Sequence, residues 1–335
     1  MPQTERQPAG SVATTNVSTA VAVTDASTVV AAAAIVGCTA SGKSALALAA
    51  ARARPDAIEP VAVDAMQVYR RMDIGTAKPT VAERAEVPHH GIDLFDPWET
   101  CTVTEYRAAA DRAVADIIAR GRQAVLVGGT GLYVRAVIDQ LEPPGQWPEL
   151  RAQLEAEAVV GEHGTLPLHA RLAAIDPTAA ARMEPSNTRR VVRALEVCLG
   201  SGRPFSSFGP GLAAYPPSPT AQLALTWDRA ALAKRIERRV DAMLAAGLLA
   251  EVEALLADSR GWSRTARQAL GYAELADHVE GRWSLDEATA AIITKTRQFA
   301  VRQERWFRRD RRIRWVTVHD DPLEALPVLL EVLDR

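Results

Sequence analysis

The chain has 335 residues, 48% of them hydrophobic and 24% charged, with a formal net charge of −2. That length suits one large domain with an insert, or two domains, and the composition is that of a soluble globular protein. The balanced charge gives no bulk signal for nucleic acid, no apolar run reaches the roughly 18 residues of a membrane span, and Cys38, Cys101 and Cys198 lie too far apart for a disulfide framework or a zinc site.

Residues 1–28 are rich in Ser, Thr, Ala and Val and nearly free of charge. They lack the basic start and compact apolar centre of a secretory signal, and read as a disordered tail. A reducing cytoplasm fits the cysteine usage. The apolar run Val29 to Val36 then predicts a buried strand, and Ala45 to Ala51 predicts a helix. Between them stands Gly37-Cys-Thr-Ala-Ser-Gly-Lys43-Ser44, a G-x-x-x-x-G-K-S sequence in the strand–loop–helix setting that a phosphate-binding loop requires. Gly37, Cys38, Thr39, Ala40, Ser41, Gly42, Lys43 and Ser44 are therefore candidate phosphate ligands. Backbone N–H groups and the positive end of the helix would cradle a polyphosphate, Lys43 would pair with its terminal phosphate, and Ser44 would reach Mg²⁺.

The loop does not say which phosphate compound binds. A nucleotide hydrolase wants an acid at the end of a second buried strand. The strand predicted over Ala124 to Val127 ends instead in Gly128-Gly129-Thr130-Gly131. The strand predicted over Pro60 to Val63, expected beside the phosphate-loop strand, does end in an acid, Asp64, fit to serve as a metal ligand or as a base.

Strands and helices alternate to about residue 139, which argues a parallel sheet with helices on both faces. Pro143-Pro144-Gly145 and Tyr215-Pro216-Pro217-Ser218-Pro219 are breaks, and the segments between them (149–160, 166–175 and 189–199) are helical in period. Next come a strand at Leu223 to Thr226, a long amphipathic helix from Ile236 to Leu256, a helix over about 285–308, a strand at 313–318 and a closing helix. The expected fold is α/β, a P-loop NTPase-like parallel sheet flanked by helices. Residues 29–142 and 220–320 form the core, 143–219 an all-helical insertion and 321–335 a C-terminal helix.

Charge is uneven. Eight arginines between Arg297 and Arg314 face only Glu304 and Asp310, with Trp306, Phe307 and Trp315 among them, and Arg182, Arg189, Arg190 and Arg193 cluster in the insertion. Arginine beside aromatic rings suits RNA, although a solvated helix face gives the same pattern. His89 and His90 have no ligand set around them and read as turn residues.

Several stretches together resemble the tRNA dimethylallyltransferase (IPP transferase) family: Asp64-Ala-Met-Gln-Val-Tyr through Lys78-Pro79, Val87-Pro-His-His90, Gly128-Gly-Thr-Gly-Leu-Tyr133, Asn187-Thr-Arg-Arg through Glu196, Gln268-Ala-Leu-Gly-Tyr272 and Thr296-Arg-Gln through Trp306. The matches run in family order from the phosphate loop to about residue 310. The resemblance implies transfer of the dimethylallyl group of dimethylallyl diphosphate to N6 of adenosine 37, beside the tRNA anticodon, with Mg²⁺ and with release of diphosphate. The loop would then hold a prenyl diphosphate.

The exocyclic amine of adenine is a poor nucleophile unless a base takes its proton as the new bond forms. Asp64, at the carboxyl end of a parallel strand, is expected to be that base, and Thr130 to hydrogen-bond near the reacting centre. The adenine must leave its stack. The resemblance places tRNA contacts at Asp64, Ala65, Met66, Gln67, Thr130, Arg151, Arg189, Arg190, Arg193, Gln268, Gly271, Tyr272, Arg302, Gln303, Arg305 and Arg308. Arg193 and Glu196 are also spaced to pair within one helix. Ala65 stands where the family usually has Ser, and Val301 where it usually has Lys. No C-terminal Cys/His finger follows, so the bacterial form, acting as a cytoplasmic monomer on the anticodon stem-loop, fits better. The competing readings are a P-loop kinase for small molecules or nucleosides, a prenyltransferase acting on a free adenine nucleotide, and a non-catalytic RNA-binding module. The Arg-rich insertion argues against the first two, and the intact loop with Asp64 against the third.

Overall fold

In the computed structural model, residues 30–160, 164–209, 211–212 and 214–334 are described, so the tail expected over 1–28 lies outside them. In chain order, β1 (Ala33–Val36) leads into α1 (Lys43–Ala53), then β2 (Ile58–Ala62), α2 (Val81–Glu86), α3 (Val103–Ala119), β3 (Gln123–Gly128) and α4 (Gly131–Ile138). Four helices follow: α5 (Pro148–Val160), α6 (Leu166–Ile175), α7 (Pro177–Ala180) and α8 (Thr188–Ser201). The chain returns through β4 (Ala221–Thr226), α9 (Arg229–Ala245), α10 (Leu248–Leu256), α11 (Tyr272–Val279), α12 (Leu285–Phe307), β5 (Ile313–Thr317) and α13 (Leu326–Leu333).

The five strands are all parallel, in the order β2-β3-β1-β4-β5. Residues alternate between two apolar layers, as a strand period of two demands. Ala34, Val36, Ala124 and Leu126 face one core, with Val61, Tyr106, Val134 and Tyr272. Ala33, Ile35, Val125, Val127, Leu223 and Leu225 face the other, against Leu46, Ala50 and Leu329. Burying each Val, Leu or Ile side chain here contributes about 1.5–3 kcal/mol.

One expectation is corrected. β2 does not lie beside β1, because β3 pairs with both. The sequence supplies the reason. Ala124 to Val127 is apolar throughout and can be covered on both faces, which suits a central parallel strand. β2 carries Pro60, whose missing N–H is tolerated at an edge. The segment at His90 closes that edge, with Ala62 N–H donating to His90 O and His90 N–H to Pro60 O.

The long helix expected from Ile236 to Leu256 is two. Gly247 takes φ 99°, a left-handed conformation that ends α9 and starts α10 on a new axis. The helices α5 to α8 enclose a separate apolar cluster, with Leu154, Leu168, Leu172, Val191 and Leu195 at its centre. Polar ties join this region to the sheet. Arg135 on α4 donates to Leu212 O and Ala214 O and stacks on Tyr215 at 4.3 Å, and Arg312 donates to Pro216 O and pairs with Asp139.

Candidate active site

The phosphate loop leaves β1 at Gly37, passes through Ala40 at φ 60°, and enters α1 at Gly42 with φ 96°. Its carbonyls are tied by long-range donors. Arg235 Nε reaches Ala40 O at 3.0 Å, Trp227 Nε1 reaches Ser41 O at 2.9 Å, and the Arg235 guanidinium stacks on Trp227 at 4.1 Å. Inside the loop, Cys38 O accepts from Ser41 Oγ at 2.9 Å and from Lys43 Nζ at 2.5 Å. Pro322 packs on Gly42, where a Cβ would come within 2.4 Å of it.

A cavity of about 460 Å³ opens here, lined by Ala40, Gly42, Lys43, Ser44, Ala45, Ala77, Arg235, Arg238 and Arg239. Burial, joined by the Arg239 charge and opposed by Cys38 and Asp64, holds the Lys43 ammonium down at about 8. Burial likewise lowers Arg239, which the Asp64 carboxylate partly offsets. Arg238 and Arg239 make no hydrogen bond or ion pair among the described residues. Four cations and the positive end of α1 thus share a cavity with little protein anion to answer them. Such concentrated positive charge, desolvated at Lys43 and Arg239, is stabilised by a polyanion.

Asp64 lies just past β2. Its Oδ1 accepts from Met66 N–H at 2.8 Å, and its charge is felt by Lys43, Arg239 and the buried Tyr106. Thr130 Oγ1 accepts from Ala65 N–H at 3.1 Å, so the turn after β3 grips the residue next to Asp64. The glycines make this approach possible: a Cβ on Gly128 would stand 2.0 Å from Val63 O. Tyr106 Oη, donating to Ala62 O at 2.7 Å and stacked on Tyr133, braces the strand end from behind.

The segment from Met66 to Pro79 forms a wall beside the cavity. Gln67 Nε2 donates to Thr76 O and Ala77 O. Glu251 on α10 accepts from Asp73 N–H and Ile74 N–H, both at 2.9 Å, and from Tyr272 Oη at 2.5 Å. Buried Lys78 reaches Asp73 at 2.7 Å and Asp93 at 2.6 Å.

The expected residues thus divide. Lys43, Ser44, Asp64, Ala65 and Thr130 come together at the carboxyl ends of β1, β2 and β3. Several of the expected RNA contacts have partners within the protein. Tyr272 is fully buried with its hydroxyl on Glu251, Gly271 is buried behind it, and Gln67 is spent inside its own segment. Gln303 is buried too, with both ends of its amide bonded to backbone. Arg193 pairs at 2.9 Å with the fully buried Glu196 and donates to Pro144 O, so it closes the insertion upon itself. Arg151 pairs with Glu155. Arg308 pairs with Glu304 while stacking on Trp315 at 4.0 Å. Exposed and without an ion pair among the described residues are Arg189, Arg190, Arg302 and Arg305. Gln268 is exposed as well. His89 Nδ1 bonds Val87 O, and His90 Nε2 bonds Glu59, whose carboxyl is held down to about 2 chiefly by Arg120.

Sequence reasoning missed Arg235, Arg238 and Arg239. Their spacing of three and four residues was a visible signal, since it puts all three on one side of α9. What the spacing could not give was the side of the molecule that this helix faces.

With this geometry in place, comparison with known proteins is informative. A family model described as IPP transferase matches residues 67–310. A tRNA dimethylallyltransferase of Kineococcus radiotolerans is 49% identical over 309 residues, covering 90% of this chain and 95% of that protein. One from Salinispora arenicola is 50% identical over 283 residues, covering 84% and 81%. Among solved structures, the full-length tRNA isopentenylpyrophosphate transferase of Bacillus halodurans is similar with a TM-score of 0.63 at 38% identity, covering 90% of this chain and 96% of that one. A eukaryotic dimethylallyltransferase acting on tRNA gives a TM-score of 0.71 at 26% identity, covering 86% and 73%.

Proposed function

The chain belongs to the IPP transferase family, and from that premise we propose how its site carries a prenyl group to tRNA. The observation that carries the reading is a cation-rich cavity at the phosphate loop opening toward a carboxylate, Asp64. The donor is dimethylallyl diphosphate, with its diphosphate against the loop, Lys43, Arg235 and Arg239. The acceptor is N6 of adenosine 37 beside the anticodon, flipped from its stack.

N6 attacks C1 of the dimethylallyl group as the bond from C1 to the diphosphate oxygen breaks. The N6 proton passes to Asp64, and Thr130 holds Ala65 so that Asp64 is aimed at the amine. Charge develops on the leaving diphosphate, where Lys43 and the arginines stabilise it without having to reorganise. The Ser44 hydroxyl lines the cavity, where it would help to hold Mg²⁺ bound with the diphosphate. That ion would supply further neutralisation of the leaving group.

The insertion over 143–219, with exposed Arg189 and Arg190, and the Arg302 and Arg305 face of α12 supply the surface for the anticodon stem-loop. No helix among the described residues is long and apolar enough to cross a membrane. The test is to incubate the protein with Mg²⁺, either dimethylallyl diphosphate or ATP, and either tRNA or AMP, then weigh the products. A dimethylallyl mass increment on tRNA alone is expected. An increment on AMP alone, or phosphate transfer from ATP in place of prenyl transfer, would overturn the reading.

A further inference from the structure

Gln303 connects the two halves of the site. It lies on α12, 7% exposed, far along the chain from both its partners. Its Oε1 accepts from Thr39 N–H of the phosphate loop at 2.7 Å, and its Nε2 donates to Gly129 O at 2.8 Å. The partners fix the amide's orientation, since Thr39 N–H only donates and Gly129 O only accepts. A primary amide is the side-chain group that offers a donor and an acceptor at this separation in one uncharged unit. The approach is also built for it. A Cβ on Gly129 would stand 2.3 Å from Gln303 Nε2, and one on Gly131 would stand 2.1 Å from Trp306 Nε1, one turn along α12. Two glycines of the turn thus give room to two side chains of one helix.

The connection runs on without a gap. Thr39 belongs to the loop that faces the diphosphate, and Gly129 precedes Thr130, which holds Ala65 next to Asp64. We propose that Gln303 is a positioning residue for prenyl transfer, a two-ended strut whose amide sets the separation between the donor loop and the turn that aims Asp64. The inference rests on the prenyl-transfer reading and adds a role that the family resemblance did not give this residue, which was RNA contact. Chemistry between two separately held groups is steep in distance, and misplacement of about 1 Å can lower the rate roughly a hundredfold.

The test compares Gln303→Glu with wild type in single-turnover prenyl transfer across pH, alongside donor and tRNA binding. In Gln303→Glu a protonated carboxyl reproduces the donor and acceptor, whereas an ionised one keeps the acceptor for Thr39 N–H and sets its other oxygen, now without a proton, against Gly129 O. The titratable and charged groups around this contact include Cys38 and Lys43 on the loop, Asp64 after β2, Arg235, Arg238 and Arg239 on α9, and Arg302, Glu304 and Arg305 on α12. All but the introduced carboxyl are shared with wild type, so the ratio of variant to wild-type rate isolates its titration. That ratio should fall roughly ten- to a hundredfold as pH rises through the introduced carboxyl's titration, and recover on acidification, with tRNA affinity unchanged. Gly129→Ala pushes on the same amide without adding a charge, and should lower the rate at every pH by a similar factor.

A flat ratio near one for Gln303→Glu with unimpaired Gly129→Ala overturns the strut. So does loss of tRNA affinity with a normal rate at saturating tRNA, which would return Gln303 to the RNA surface. Absence of prenyl transfer by the wild-type protein would instead count against the reading of the site itself, so the two failures are distinguishable.

Discussion

The sheet's carboxyl edge and the helical insertion are both rich in arginine, but they use it in opposite ways. At the edge, Lys43, Arg238 and Arg239 converge on one cavity with no carboxylate in ion-pair contact with them among the described residues. In the insertion, Arg193, Arg151 and Arg171 are answered by Glu196, Glu155 and Glu157, while Arg182, Arg189, Arg190 and Arg203 stand exposed with no ion pair among the described residues. A paired arginine builds a fold. An unpaired, desolvated one raises the free energy of the protein alone and lowers that of its complex with an anion. Arginine count therefore says little about either region, and partner count says a good deal.

The most severe way to test the edge is at Asp64. Asp64→Asn keeps the shape and removes the basicity, and should slow single-turnover prenyl transfer by about a hundred- to ten-thousandfold while both substrates bind nearly as before. If raised Mg²⁺ restored the rate in full, Asp64 would be a metal ligand and the assignment of the base would fall.

A second measurement asks whether the cations there are kept at the expense of stability. Lys43 has a folded pKa of about 8 against an ordinary 10.5. Between those values the folded protein binds fewer protons than the unfolded chain, so this group's contribution to stability rises with pH across the window. Below pH 8 both states are charged and the full cost of holding the ammonium is present. Lys43→Met should thus raise stability at pH 7 by about 0.5–2 kcal/mol, a gain that shrinks as pH passes from 8 toward 10.5. Cys38 O keeps a donor in Ser41 Oγ, so no acceptor is orphaned. Calorimetric binding of dimethylallyl diphosphate should be lost in the same variant and tRNA binding kept. Unaltered donor affinity would remove Lys43 from the diphosphate site.

The smallest effects separate the two kinds of arginine within the insertion. Arg193→Ala leaves the buried Glu196 with only Trp147 N–H, and should cost about 1–3 kcal/mol in chemical denaturation without altering the salt dependence of tRNA binding. Changing Arg189 and Arg190 to Ala together should move stability by less than about 0.5 kcal/mol. The same change should lower the slope of log affinity against log salt by roughly one per lost phosphate contact. Reversal of these two patterns would mean that pairing does not sort structural from binding arginines here.

The phosphate loop, the strand ending at Asp64 and the glycine turn carrying Thr130 were legible because each is a local pattern. A loop must have glycine where φ is positive, and a buried parallel strand must be apolar throughout. The positions of α5, α6 and α8 were legible for the same reason, from helical periodicity between proline breaks. Less was legible of the RNA surface. Tyr272, Gln303 and Arg193 lie in stretches that resemble RNA-contacting ones, yet each is committed to a partner 3 to 264 residues away along the chain.

Sequence alone determined which chemical groups this protein possesses and the local frames that present them: a phosphate loop, an acid after a strand, and a threonine on a glycine turn. Tertiary structure decided the strand order, with β3 between β2 and β1, and hence how Asp64 meets the loop. It also turned Arg235, Arg238 and Arg239 of α9 into the cavity and Gln303 of α12 into the seam behind it. The physical reason is range. Backbone conformation and periodicity act over a few residues, whereas a charge or an amide finds its partner through packing that brings distant segments within 3 Å of one another.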